Sequence, residues 1–351
     1  MLEKLSRRLA VLIGLMTIIS AAGWGQKSEF EKIDQHARSL PPQVTQDVAT
    51  LASALVKPTQ NDQEKVRSFY VWITDNIAYD VRAFRQYRAD RYQQVTADEV
   101  LSRRTAVCQG YAILFQALCQ QYDIPCYVVP GYSKGFNRRV RDFAQGDHAW
   151  NAVELDDRWY LLDVTWGSGG LNQQLQFVEQ FNDKYFLTRP DIFVQDHLPL
   201  DPMWQLLDCP ISISSFATDS TALPQDVVGE YQKCGEFTKW LTEYTQSSDT
   251  ERELEAAQRA YSFNPANFLV IVQAYMNRAH HLMSSIPQML HSREAIEAAT
   301  VTQEEAMTYL KKAESILTKT KEEVAVQEKE VLEKNLRNGQ SNLEGFRKAL
   351  Q

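Results

Sequence analysis

Dense basic sequence is absent beyond the short stretch carrying Lys4, Arg7 and Arg8, and the formal net charge is −8. An electrostatic footprint for nucleic acid is therefore not expected, and nucleic acid is set aside as a partner. The apolar stretch from Leu9 to Ala22 falls short of the about 20 residues that span a membrane comfortably. The six histidines form no ligand cluster along the chain. His280 and His281 are adjacent, which points them to different sides of a helix, and Glu or Cys partners at metal spacing are missing. No metal and no cofactor is expected.

Cysteine is also scarce, with five in 351 residues. None follows the apolar stretch, so a lipid anchor is not indicated. Lys4, Arg7 and Arg8, the apolar core and the small residues after it read as a secretory signal peptide over residues 1–25, cleaved near Ala22 or Gly25. A retained N-terminal anchor helix is the alternative. Export implies a secreted or periplasmic protein with no stable membrane span after cleavage, and it permits disulfides. An odd number of cysteines leaves at least one unpaired, naturally Cys108. Cys119 and Cys126 read as core, and Cys209 and Cys234 could pair, although their spacing does not demand it.

At 351 residues the chain exceeds what one hydrophobic core usually holds, and a hydrophobic fraction of 44% is ample for two. The expected division is a catalytic domain with a helical lead-in over residues 26–200, a proline-rich connection over 201–225 and an α-helical domain over 226–351. In the lead-in, residues 30–57 read as helices broken at Pro41-Pro42 and closed by KPTQND.

Chemistry-bearing residues concentrate in two short runs. From Cys108, the apolar residues Ala112, Phe115, Leu118, Cys119 and Tyr122 recur at three- and four-residue steps, the period of a helix with one buried face. Cys108 then lies in the first turn, where unpaired backbone amides and the positive helix end favour a thiolate and can hold an oxyanion. The second run, HAWNAVELDDRWYLLDVTW (148–166), reads as two strands around an Asp156-Asp157 turn. A two-residue turn sets Leu155 opposite Arg158 and His148 opposite Thr165. Asp163 then sits one diagonal step from His148 on the same face, roughly 7 to 8 Å between backbones. An odd-numbered turn would put the two on opposite faces. With the even turn, Asp163 fixes the imidazole tautomer and the other ring nitrogen takes the proton of Cys108. Taken singly, each residue has a plainer role: Cys108 as a small buried hydrophobe, His148 and Asp163 as solvated or hydrogen-bonded strand residues.

These runs resemble the transglutaminase-like superfamily, particularly its kyphoscoliosis-peptidase-type branch. VCQGYA is similar to that family's nucleophile motif, GYSKG (131–135) to its following loop, HAWN to its histidine motif and WYLLDVTWGSG to its aspartate motif. The resemblance runs from about Glu64 to Thr188 and takes in the upstream helices KVRSFYVWITDNIAYD and ADEVLSRR. It implies an α+β, papain-like core with Cys108 as nucleophile, His148 as base and Asp163 as orienting carboxylate. Spacings shorter than in the calcium-dependent cross-linking enzymes, and no calcium-loop pattern, favour amide hydrolysis over cross-linking. Tyr79 and Trp72, read as lying on an amphipathic helix, are the side-chain candidates for an oxyanion contact, with core packing as their plainer role.

The rest of the chain adds context. VRAFRQYRADRYQQ (81–94) spaces Arg82, Arg85, Arg88 and Arg91 three apart, as a cationic surface segment or a loop over the cleft. FNRRVRDFAQGD (136–147) reads as a loop leading into His148. Residues 250–283 resemble a single tetratricopeptide-type helix pair with an NPAN turn, and 305–317 repeat its second helix. Too few units for a free-standing solenoid, they should lean on each other or on the catalytic domain. The tail from Lys319 to Gln351 reads as one or two exposed helices.

The functional expectation is an exported cysteine amidase or peptidase acting on a protein or peptide through a thioester. Transfer to an amine is the runner-up. A non-catalytic scaffold that recruits a protein partner through the C-terminal helices is the alternative from a different class.

Overall fold

The computed structural model describes residues 30–351 apart from 45, 87–94, 136–142, 219–233, 236, 288–289 and 320–325. The expected leader, Arg88 and Arg91 of the basic insertion, and the first part of the 136–147 loop lie outside the described residues.

The lead-in forms α1 (Glu31–Arg38), a 3-10 turn (Pro42–Val44) and α2 (Val48–Leu55), broken at the prolines as the sequence indicated. Asp47 caps α2 by accepting from the Thr50 amide, and Asn61 caps α3 (Asp62–Asn76) by accepting from Glu64. Val66, Phe69, Val71 and Ile73 of α3 are all inaccessible to solvent, so this helix runs through the core rather than over it. A buried ion pair fixes the lead-in to it. Arg67 of α3 gives Nε and Nη2 to the two oxygens of Asp34 in α1, each at 2.7 Å, and reaches Asp183 with Nη1.

Next come β1 (Ala78–Tyr79), α4 (Val81–Arg85), α5 (Ala97–Arg103) and β2 (Thr105–Ala106). β1 and β2 pair in parallel, and a capping box between Thr96 and Glu99 starts α5. This pairing sets the take-off of α6 (Cys108–Gln120), which buries Tyr111, Ala112, Leu114, Phe115, Leu118 and Cys119.

A four-stranded antiparallel sheet follows. In chain order the elements are β3 (Cys126–Ser133), β4 (His148–Leu155), β5 (Arg158–Leu162), α7 (Val164–Ser168), β6 (Gly169–Leu171), β7 (Phe177–Glu179), α8 (Pro190–Phe193) and β8 (His197–Pro199). The sheet order is β5-β4-β3-β8, and β6 with β7 forms a separate hairpin. Along β4, Val153 and Leu155 enter the core built with α2, α3 and α6, whereas Trp150 and Ala152 enter a second core with Val129, Leu161, Trp204 and Trp240. Both faces are covered, which is why HAWNAVEL shows no clean polar alternation. Gly131 is required where β3 meets this second core, because a Cβ there would lie 2.2 Å from Trp150 and 2.5 Å from the Leu198 carbonyl oxygen.

The Asp156-Asp157 turn has two residues, with φ of 50° and 57° and Leu155 opposite Arg158, as the sequence indicated. The ladder beyond it differs from the expectation. Pairing stops at Asn151 and Leu162, His148 pairs with Gly131 of β3, and Asp163 leaves the strand to cap α7. Its Oδ1 accepts from the amides of Thr165 and Trp166 at 2.8 and 3.0 Å. Those orphan helix amides end the strand where simple counting would extend it.

Beyond a 3-10 turn (Pro202–Gln205) lie α9 (Ile213–Ala217), α10 (Phe237–Gln246), α11 (Asp249–Phe263), α12 (Phe268–Ser285), α13 (Arg293–Leu317) and α14 (Val326–Leu350). The molecule is thus α+β in its first part and all-helical at its C-terminus. The helices lean on the core as expected. Trp240 and Leu241 of α10 complete the second core, Arg259 of α11 pairs with buried Asp201 at 2.9 Å, and Asn264 in the NPAN turn donates to the Tyr132 hydroxyl and the Phe143 carbonyl. The tail corrects the sequence reading. Its described part is one helix packed on α13, with Leu332 and Leu343 buried and Gly339 so close that a Cβ would meet Met307 Sδ at 2.4 Å. The heavy charge of that segment masks a sparse leucine stripe that is enough to bury one face.

Cys209 and Cys234 form a disulfide, while Cys108, Cys119 and Cys126 are free, with the last two buried. Among the described residues, no helix is long and apolar enough to cross a membrane.

Candidate active site

Cys108 is the first residue of α6, entered from Val107 in extended conformation. The Val107 carbonyl already takes the Gly110 amide at 2.9 Å, so the amides of Cys108 and Gln109 stand outside the helix ladder at its positive end. Cys108 as a residue is partly exposed. His148 opens β4 and is 9% exposed, whereas Asp163 is completely buried.

The three side chains named from the sequence come together. His148 Nε2 lies 2.7 Å from Asp163 Oδ2, and Cys108 stands close enough to the same ring to raise its proton affinity. With Nε2 donating to the carboxylate, Nδ1 is the nitrogen left for the sulfur. Burial alone would lower the proton affinity of His148, but the charge and hydrogen bond of Asp163, reinforced by Cys108, raise it well above the usual imidazole range. Burial likewise works against an ionised Asp163, yet His148 and His197 outweigh it and hold this carboxyl far below the usual carboxylate range.

Asn151, the last residue of HAWN, has a different task. It is fully buried, and its Nδ2 donates to the Ala112 carbonyl of α6 at 3.0 Å. That bond ties the strand bearing His148 to the helix bearing Cys108.

Sequence reading missed His197. Its Nε2 lies 3.0 Å from the same Asp163 Oδ2, and its Nδ1 lies 2.7 Å from Asp196 Oδ1. The expectation of no histidine cluster is therefore corrected: His148, Asp163 and His197 place donor atoms within 4.8 Å of one another, the one such group among the described residues. Each of those atoms already serves a hydrogen bond inside the group, so the arrangement reads as a hydrogen-bonded relay. Only the pairing of β8 with β3, with His197 opposite Ser133, brings this residue in, and no local motif announces such a long-range pairing.

Of the two oxyanion candidates, Trp72 is buried in α3 with the Arg104 guanidinium 4.8 Å from its ring. It is a core residue. Tyr79 lies in β1 rather than on a helix, stacks on Phe177 at 5.2 Å and lines a cleft of about 630 Å³ that opens against His148. Burial, followed by the nearby Cys108, raises its phenol well above the usual range. Phe84, Trp166 and Phe177 wall the same cleft, and Lys134 and Asp147 supply its charged groups. Arg85 of the basic insertion reaches across to the Leu175 carbonyl at 2.9 Å, which puts the start of that insertion beside the cleft.

Residues 49–164 match the sequence model of the transglutaminase-like superfamily. Kyphoscoliosis peptidase of Mus musculus is 40% identical over 190 residues, covering 53% of this chain and 28% of that protein. Hillarin of Drosophila melanogaster is 29% identical over 204 residues, covering 54% of this chain and 24% of that protein. The chain thus spans about a quarter of the length of the curated relatives it matches. A solved structure described as a TGase aligns at 18% identity over 49% of this chain and 40% of its own, with a TM-score of 0.26, too loose a likeness to carry argument. Residues 49–164 thus form a transglutaminase-like domain, and the chain around them is similar to kyphoscoliosis peptidase.

Proposed function

We propose that this chain is an exported, cysteine-dependent amide hydrolase acting on a protein or peptide. One observation carries the reading: Cys108, partly exposed at a helix start, raises the proton affinity of an imidazole whose Nε2 lies 2.7 Å from a buried carboxylate. In this mechanism His148 Nδ1 takes the proton of Cys108, and the sulfur attacks the amide carbonyl carbon. The amides of Cys108 and Gln109 receive the developing oxyanion, with the Tyr79 hydroxyl as the nearby side-chain donor. His148 then passes its proton to the leaving nitrogen, the C–N bond breaks and a thioester remains. Water, deprotonated by His148, attacks the thioester and releases the acid and the thiol.

Asp163 supports the cycle by keeping the proton on Nε2. The aromatic walls of the cleft suit a peptide segment with an apolar or aromatic side chain next to the scissile bond. Polar groups among the lining include Asp147, Gln180 and Asn182, which offer hydrogen-bond partners to a water that resolves the thioester. Export is supported by the leader-like N-terminus and by the Cys209–Cys234 disulfide, a bond that persists in oxidising compartments.

The test is incubation of the full-length protein with a peptide library, with Cys108→Ala as the blank. New amine termini without mass gain support hydrolysis, whereas an adduct with added glycine methyl ester assigns transfer instead. No product difference between the two proteins contradicts both and leaves the scaffold reading.

A further inference from the structure

The buried relay extends past Asp163. His197 is almost inaccessible at 1%, and each of its ring nitrogens faces a carboxylate oxygen, Asp163 Oδ2 at 3.0 Å and Asp196 Oδ1 at 2.7 Å. A carboxylate accepts but does not donate, so satisfying both contacts requires a proton on each nitrogen. His197 is then an imidazolium between two anions. The far anion is itself held: Asp196 Oδ2 takes the Lys184 ammonium at 2.8 Å and the Tyr185 hydroxyl at 3.1 Å. The hydrogen bonds of His197 and Lys184 keep Asp196 below the usual carboxylate range against the opposing pull of burial.

Resting on the thiol reading above, we propose that His197 is a positioning residue. Its imidazolium shares Asp163 with His148, fixes that carboxylate in place, and tempers how strongly His148 holds its proton. The His148 and His197 rings are 5.4 Å apart between centroids, so the two cations compete for one anion. Without the second cation, Asp163 would act undivided on His148 and make it a weaker proton donor to the leaving group. The charged and titratable groups around the pair include Asp163 at the start of α7, Asp196 before β8 with Lys184 and Tyr185 behind it, Asp147 and Cys108 beside His148, and Tyr70 and Tyr79 near Asp163. Trp150, Trp166 and Phe193 supply the apolar walls, which exclude water and strengthen every charge inside.

The experiment follows alkylation of Cys108 by iodoacetamide from pH 4 to 10 in the full-length protein, read by peptide mass spectrometry. It compares wild type with His197→Gln, His197→Phe and Asp196→Asn. The wild-type rate should show a fast plateau that ends where His148 loses its proton. His197→Gln retains a donor for Asp163 without the charge, and should move the upper end of the plateau upward by about one pH unit with the plateau rate within about threefold. Asp196→Asn, a change nearer the surface, frees His197 to become neutral and should shift the edge the same way by less. His197→Phe keeps a ring in the pocket but no donor, and should lower the plateau rate by about tenfold or more. Unchanged plateau edges and rates in folded variants, with only a lower melting temperature, would overturn the proposal and make His197 a structural residue. Absence of the plateau in wild type would instead remove the thiol reading beneath it.

Discussion

Asp163 is held from several sides. It is fully buried and accepts four hydrogen bonds, from the Thr165 and Trp166 amides and from His148 and His197. Its carboxyl is depressed in the folded state, so it contributes stability that is complete above the unfolded value of about 3.9 and lost as pH falls below it. His148 is raised, so its contribution is complete below the unfolded value of about 6.5 and is lost as pH climbs through the higher folded value. Denaturation midpoints measured across pH 3 to 10 should therefore be highest near pH 5 to 6.5 and decline on both sides. A maximum at pH 8 or above would contradict the ionised pair. At this scale the helix start at Cys108 and the nearness of His148 to Asp163 were legible as local patterns, although the ladder ends before that pair and Asp163 reaches it from a helix cap. His197 was not, since its role depends on a strand pairing that no neighbouring residue encodes.

The hairpin from β4 to β5 delivers both His148 and the cap of α7. It depends on positive φ at Asp156 and Asp157, a conformation that aspartate tolerates and β-branched residues resist. Asp157→Val should cost about 1–2 kcal/mol in urea unfolding, while Asp157→Gly should be near neutral. Equal stability in the two variants would mean that the turn does not hold this register. The sequence indicated the turn correctly and the ladder only in part. Simple alternation carries no information on where a capping carboxylate ends a strand, and the same blindness to caps and sparse stripes hid the packed tail helix. Tyr79 was assigned to a helix because the preceding α3 pattern runs up to it; the β1–β2 pairing overrides that period.

Across the whole molecule, the C-terminal helices are fastened to the α+β core by Trp240, by the Arg259–Asp201 pair and by Asn264. The Cys209–Cys234 bridge closes a span of 25 residues between the two parts. Its removal in Cys209→Ser with Cys234→Ser should cost about 3 kcal/mol of stability and make the melting temperature insensitive to reductant. A wild-type protein whose melting temperature does not fall in reductant would show the bridge to be dispensable. Composition and periodicity made the division into an α+β part and a helical part legible, whereas the contacts joining them, a buried tryptophan and a few polar side chains, follow no pattern to read. The most direct measurement is the rate of Cys108 alkylation by iodoacetamide at pH 6, in wild type and in His148→Ala. Reaction far faster than that of a thiol with a pKa of about 8.5, falling at least tenfold in His148→Ala, is expected from an imidazole-activated sulfur. Slow and equal rates in the two proteins would contradict it.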